Sequence, residues 1–294
     1  MRNKTLPTIF ILLAAALWGC MGLFVRYFNG IGIEAMDIAL LRVLTASVFL
    51  PIAIGFYQPT AFKIKTRHLW CFLGTGILSL SMFTFCYFKT IEMTDLSIAA
   101  VLLYTAPVMV VLMAAVLFKE KLTWMKGLAC LLAFLGCVLV SDLQGSSLPP
   151  LALLTGLLSG LGYALYSIFS RYAMNRGYRS LTIVVYTFWF SLLGILPFSH
   201  PIATFERIAA AGWVGWLMLV AMGILTAVLP YLFYTLGLEK IESGKASVMA
   251  SLEPVVATVA GLIAFGEVPQ PIAWVGIILV LMGVVLLNVR FKKL

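Results

Sequence analysis

An acidic side chain inside an apolar run is the first place to look for chemistry in this chain. Glu253 lies about nine residues into such a run, with Ser247 and Ser251 as its nearest polar neighbours in sequence. A charge at the centre of a membrane helix costs about 2.5–3.5 kcal/mol on insertion scales, so the carboxyl must face a wet cavity, meet a partner or carry a proton. Two readings follow: a cation anchor or proton acceptor, or a protonated or hydrogen-bonded acid that braces the bend at Pro254. Arg42, some seven residues into another apolar run, has three open roles. It can pair with Glu253, bind a substrate carboxylate, or extend to the membrane interface past Glu34 and Asp37. A guanidinium and a carboxylate lining one cavity would suit a zwitterion such as an amino acid.

Pro107 and Pro254 stand mid-run, where each lacks an N–H and frees the carbonyl four residues before it, on Leu103 and Ala250. Those carbonyls either face a ligand or only accompany helix kinks. Trp18, Tyr87, Tyr104, Tyr163, Tyr166, Tyr231 and Tyr234 also fall within apolar runs, where their polar tips need partners or an interface. Packing accounts for most of them; Trp18 and Tyr163, with Glu253, would also favour an organic cation through cation–π contact. Gly156 to Gly160 form a GxxxG, a packing signal for close helix approach. The five cysteines, Cys20, Cys71, Cys86, Cys130 and Cys137, form no CxxC pair and read as small core residues. HExxH, GxSxG, Walker A and EF-hand motifs are absent, and His68 and His200 lie at run ends, so neither a metal nor a cofactor is expected.

The elements that must position these residues follow from composition. Of 294 residues, 63% are hydrophobic and 11% charged, against roughly 25% charged in a soluble domain. Runs of about 20 apolar residues predict helices near 6–28, 36–57, 69–90, 96–118, 123–141, 151–173, 181–199, 211–237, 245–266 and 271–290. Turn and charge signals separate them, among them Gln58-Pro59, Glu92 to Asp95, Asp142 to Pro150 and Pro201 to Arg207. The first run continues to Phe28, too long for a signal peptide, so it is expected to be a retained helix. The net charge of +9 is no sign of nucleic acid here. With the N-terminus cytoplasmic, sixteen of the twenty Lys and Arg fall on the cytoplasmic side, including Arg2, Lys4, Arg290, Lys292 and Lys293. Only Arg26, Lys89 and Arg207 fall opposite, with Arg42 inside a helix, which predicts both termini inside.

An internal repeat sharpens the architecture. At an offset of 147, Gly76-Ile77-Leu78 meets Gly223-Ile224-Leu225, Tyr87 meets Tyr234, Glu92 meets Glu239, Pro107 meets Pro254, Glu120 meets Glu267 and Gly136 meets Gly283. At an offset of 145, Trp18 meets Tyr163 and Arg26-Tyr27 meets Arg171-Tyr172. Five helices per half is an odd number, so the second half must enter the membrane upside down, the arrangement of many secondary carriers with a midplane site between repeats.

Taken in order, Leu17-Trp18-Gly19, Arg42, Ala106-Pro107, Glu120, Gly136, Leu252-Glu253-Pro254, Phe265-Gly266-Glu267 and Gly283 resemble the EamA-type carriers of the drug/metabolite transporter superfamily, over essentially the whole chain. The resemblance implies an all-α membrane protein of ten transmembrane helices in two inverted five-helix repeats, transporting without ATP. A Leu-Glu-Pro at this place is widespread in that family, which implies that Glu253 serves a shared mechanism or fold more than selectivity. Tyr163 in place of Trp18, and Trp274 in place of Gly127, leave an asymmetric cavity. Members carry amino acids, quaternary amines, nucleobases, vitamins and drugs, and fold does not choose among them.

The expectation is therefore one membrane transport domain over 1–294, with repeats at 6–141 and 151–290, in the cytoplasmic (inner) membrane. It is a secondary transporter, not an enzyme, moving a small-molecule substrate, an amino acid or amine, by alternating access. Glu253, Trp18, Tyr163, Tyr104 and Arg42 are the expected substrate-binding residues, with Glu253 also the site for a proton or other coupling ion and Pro107 and Pro254 the helix kinks. The lipid bilayer is the expected partner besides substrate. The alternatives are a channel, or a membrane enzyme on a lipid-linked substrate, which would need a polar catalytic cluster at one interface.

Overall fold

The structure, a computed structural model, describes residues 5–57, 59–94, 96–141 and 149–288. Arg2, Lys4, Gln58, Asp95, Asp142, Arg290, Lys292 and Lys293, which entered the sequence reading above, lie outside the described residues. All regular structure among the described residues is helical. Among the described residues, eight helices are long and apolar enough to cross a membrane, and there are two shorter apolar helices. They are α1 (Thr5–Gly30), α2 (Ala35–Tyr57), α3 (Thr66–Met93), α4 (Leu96–Leu103 and Ala106–Phe118), α5 (Trp124–Val140), α6 (Pro150–Met174), α7 (Ser180–Phe198), α8 (Gly212–Leu238), α9 (Ser243–Phe265) and α10 (Pro271–Asn288).

Several of these helices are not continuous. Cys20 divides α1 into Thr5–Gly19 and Met21–Gly30. Tyr104 and Thr105 interrupt α4, and Ser251 and Leu252 interrupt α9, each just before a proline. Pro107 and Pro254 therefore occupy the first turn of a new helical segment, where the missing N–H costs nothing. The backbone at Thr105, Ser251 and Leu252 stays in the right-handed helical region, with tightened hydrogen bonds such as Ser251 N–H to the Val248 carbonyl. α3 and α8 each contain a π-helical stretch, Gly74–Ser81 and Gly223–Val228, which overlap at the 147-residue offset and end at the same place. Neither stretch was legible from hydropathy, because widening a helix by one residue per turn leaves its composition unchanged. Another correction concerns Pro201 to Arg207, expected as a connection. Pro201–Ala210 is a short helix with Pro201 in its first turn, burying Thr204 and Ile208 and exposing Ile202.

The packing of the two halves obeys a two-fold relation. A Cβ on Gly136 of α5 would sit 2.6 Å from the Gly276 carbonyl oxygen of α10, and one on Gly283 would sit 2.8 Å from the Ala129 carbonyl oxygen. Adding 147 to Gly136 and Ala129 gives Gly283 and Gly276, so these two contacts are images of each other. Likewise Gly223 of α8 lies against Thr45 of α2, while Gly76 of α3 lies against Phe190 of α7, with Thr45 and Phe190 matched at the 145-residue offset. A two-fold axis relating halves of five crossings each must lie in the membrane plane, so the repeats are inverted. Even the helix ends correspond: Lys119 after α4 and Gly266 after α9 are both left-handed, with φ of 56° and 68°. Apolar side chains such as Leu112, Val116 and Ile263 point outward, as lipid-facing surface requires.

The α5–α10 crossing gives a direct check on this packing. Gly136→Val forces a methyl group onto a carbonyl and should destabilise the protein by about 1–3 kcal/mol, seen as a lower thermal unfolding midpoint in detergent. Gly127→Ala, with nothing within 4 Å of its Cβ position, should leave the midpoint unchanged or raise it. Equal midpoints for the two variants would mean the helices do not approach this closely.

Candidate functional site

The site forms where two interrupted helices touch. Gly19 ends the first segment of α1, and a Cβ there would lie 2.7 Å from the Glu253 carbonyl oxygen and 2.7 Å from the Val256 Cβ. Glycine lets α1 press its break against the break in α9. Glu253 is then the first residue of the segment Glu253–Phe265, so its carboxylate sits at the positive end of a helix dipole. The Tyr163 hydroxyl on α6 donates to Glu253 Oε2 at 3.2 Å. Tyr104, at the break in α4, and Tyr87 and Cys137 lie within the electrostatic reach of the same carboxylate.

An aromatic cluster adjoins this acid. Trp18, buried at the end of the first α1 segment, makes edge or tilted contacts with Tyr163, Tyr231 and Tyr234 at centroid distances of 6.1, 5.3 and 5.5 Å. Tyr166 packs edge-on to Tyr231 at 5.0 Å and shares a 2.6 Å hydrogen bond with Thr235. Tyr234 shares a 2.8 Å hydrogen bond with Ser167. The phenol tips buried among α6 and α8 are thus held in place by neighbouring hydroxyls. The cavity among Trp18, Phe83, Tyr163, Tyr166, Tyr231 and Tyr234 is about 10 Å³, room for a single water molecule. In this arrangement the aromatic walls are closed on one another.

Arg42 is buried in α2, close enough to Glu253 for the two charges to act on each other, yet it makes no ion pair with it. Its Nε donates to Thr226 Oγ1 at 3.1 Å and its Nη2 to the Thr226 carbonyl at 2.8 Å. Thr226 belongs to the π-helical stretch of α8, and its own hydroxyl donates to the Met222 carbonyl at 2.7 Å. Extension to the interface is ruled out by burial, and Asp37 is taken by the His200 backbone N–H at 2.6 Å. Arg42 and Glu253 therefore both act on Tyr231 of the aromatic cluster, with no ion pair between them.

Glu253, Trp18 and Tyr163 come together directly, Tyr104 joins them through the Glu253 field, and Arg42 bonds Thr226 instead of the acid. Sequence reasoning left out Thr226 and gave Tyr231 and Tyr234 no special standing. The pairing of Tyr87 with Tyr234 across the repeat was the one available signal for Tyr234; nothing marked Thr226, because its importance comes from the π-helical backbone around it.

A membrane-crossing bundle of duplicated helices, with an acid and an aromatic cluster where its halves meet, defines a polytopic helical membrane protein of inverted-repeat type. The chain belongs to the EamA-like transporter family, whose sequence pattern matches residues 5–142 and again 150–289. It is a transporter. A Bacillus subtilis (strain 168) protein named "Uncharacterized transporter YxxF" is 26% identical over 295 residues, covering 98% of this chain and 91% of that protein. A "Probable terminal-alkyne amino-acid exporter" of Streptantibioticus cattleyicolor is 25% identical over 269 residues, covering 89% and 86%. The "Uncharacterized inner membrane transporter YicL" of Salmonella typhimurium is 24% identical over 292 residues, covering 96% and 95%. A protein crystal structure superimposes with a TM-score of 0.79 at 18% identity, covering 97% of this chain and 96% of that one, and shares the fold.

The Tyr163–Glu253 bond is open to measurement. Tyr163→Phe should lower unfolding stability in detergent by about 1–3 kcal/mol, the range for a hydrogen bond to a charged or buried group. In a double-mutant cycle with Glu253→Gln the two losses should be coupled by at least about 0.5 kcal/mol. Strict additivity would show that the hydroxyl and the carboxyl do not interact.

Proposed function

We propose that the chain is a single-domain secondary carrier that moves an amino-acid-like zwitterion across the cytoplasmic membrane by alternating access, without ATP. The observation that carries this reading is a pair of opposite charges, a buried Arg42 and a partly buried Glu253, beside one aromatic cluster and with no ion pair between them. Two such charges are costly to keep apart in a membrane interior, and a ligand carrying an ammonium and a carboxylate would satisfy both. Glu253 is the ammonium anchor and, between transport cycles, the proton or coupling-ion site. Arg42 receives the carboxylate, and Trp18, Tyr163 and Tyr104 form the walls. The repeats, 6–141 and 151–290, are the two halves that rock about the interrupted helices at Pro107 and Pro254. Both termini face the cytoplasm, in keeping with the distribution of basic residues. The similarity to a protein named as a probable amino-acid exporter lends support to the cargo class.

A second reading, an amine without a carboxylate, is favoured by one specific observation: two of the Arg42 donors are already used by Thr226. The two are separated by a thermal-shift screen of the detergent-solubilised protein, since a ligand stabilises the state it binds. An amino acid should raise the unfolding midpoint while its decarboxylated amine does not, and Arg42→Gln should abolish the difference. Stabilisation by the amine alone would select the second reading.

The role of Glu253 is tested in proteoliposomes. Loss of a charged contact worth about 1.5–3 kcal/mol predicts that Glu253→Gln lowers substrate flux at least about 10-fold and removes its pH dependence, while the protein remains folded. Unchanged flux and unchanged pH dependence would sink the mechanistic role.

A further inference from the structure

At opposite ends of the bundle the repeat places the same two residue types, Glu120 with Arg171 and Glu267 with Arg26, related by the offsets of 147 and 145. Their surroundings differ. Glu120, at the end of α4, accepts the backbone N–H groups of Ser243 and Gly244 at 2.8 and 3.3 Å, which open α9. It also pairs with Lys126 of α5 at 3.6 Å, and Lys126 reaches on to Glu242 at 2.5 Å. Arg171 of α6 donates to Ser243 Oγ at 3.2 Å and to the Ile241 carbonyl. Ends of α4, α5, α6 and α9 are thus tied in one network, with Glu120 and Lys126 only 10% and 6% exposed. At the other end Arg26 pairs with Glu267 and lies over the Phe265 ring at 3.9 Å, and both partners are more than half exposed, at 53% and 54%. The position matching Lys126 is Ala273, and the position matching Ser243 is Leu96.

Resting on the carrier reading above, we infer that these clusters are the two end latches of the transport cycle, and that they are unequal by construction: the buried Glu120 network holds its end shut, and the exposed Arg26–Glu267 pair is the latch that opens first. An alternating-access carrier must break contacts at each end in turn. Breaking the exposed pair frees groups that water can solvate at once, and such pairs contribute little. Breaking the Glu120 network strands two backbone N–H groups in a buried place and takes from Lys126 one of its two carboxylate partners, which is far more costly. The resting protein is therefore closed at the Glu120 end, and its first opening is at the Glu267 end.

The test is hydrogen–deuterium exchange on the full chain in nanodiscs, read at the last turns of α6 for the Glu120 end and of α1 for the Glu267 end, neither of which donates a backbone N–H to the mutated carboxylate. Glu267→Ala should raise exchange at its end by about 1.5- to 5-fold, as expected for an exposed ion pair. Glu120→Ala, which removes both acceptor oxygens, should raise it at the other end by about 10- to 100-fold, as expected for stranded buried donors. The charge reversal Arg26→Glu with Glu267→Arg keeps the pair and should restore exchange to the parent level, which separates latch loss from general loosening. Ala273→Lys, which copies Lys126 onto the weak end, should slow exchange there and slow flux in proteoliposomes by about 2- to 10-fold. Equal gains at both ends, a larger gain at the Glu267 end, or no rescue by the charge reversal would overturn the inference. The exchange measurement needs no cargo: the expected order of exchange together with flux indifferent to Ala273→Lys would leave the latches standing and count against the carrier mechanism.

Discussion

Glu253 keeps a carboxyl group within a membrane-crossing helix, where a charge is costly unless the fold offsets it. Three features of the fold answer to that constraint. α9 is broken just before the residue, so the carboxyl stands at the start of a helical segment and feels the positive end of its dipole. Gly19 allows α1 to come close enough to cover the break, and Tyr163 reaches across from α6 with a hydroxyl. Helices from both halves are committed to one side chain. The halves are thereby brought together around one carboxyl group.

The pseudo-two-fold axis makes the asymmetry of the site easy to locate. Backbone approaches are conserved under it: Gly136 on Gly276 matches Gly283 on Ala129, and the π-helical stretches of α3 and α8 each present a glycine to the facing helix. The chemistry is not conserved. Ala106 occupies the place of Glu253, Tyr163 the place of Trp18, and Thr187 the place of Arg42. Thr187 hydrogen-bonds Thr75 at 2.7 Å in the π-helical stretch of α3, much as Arg42 bonds Thr226 in that of α8. Packing is thus shared by the two halves, while the charges of Arg42 and Glu253 have no counterpart at the matched positions.

Irregular backbone is concentrated where the halves meet. Inside a membrane, unwound or widened helix is tolerated only where protein covers it, because each unpaired backbone group costs several kcal/mol in lipid. The breaks in α1 and α9 cover each other, the break in α4 lies against Gly160 of α6, and the π-helical stretch of α8 has its Thr226 carbonyl taken by Arg42. These segments have fewer regular hydrogen bonds to lose than a continuous helix, which makes them the natural places for α4 and α9 to bend.

Much of this was determined by the sequence alone. Ten apolar runs, the distribution of charge and the pairs at offsets of 147 and 145 are enough to specify a helical membrane protein of two inverted halves, because span length and odd helix number are constraints of the bilayer and not of packing. The acid, the arginine and the paired Trp18 and Tyr163 could be singled out because polar groups in apolar runs are conspicuous. What they touch was decided only by the tertiary structure. Periodicity does not reveal that Tyr163 donates to Glu253, that Arg42 turns to Thr226 instead of to the acid, or that Pro201–Ala210 is helical. Those outcomes depend on where one helix breaks or widens against another, and a glycine with no room for a methyl group can be recognised only once its neighbour across the bundle is in place.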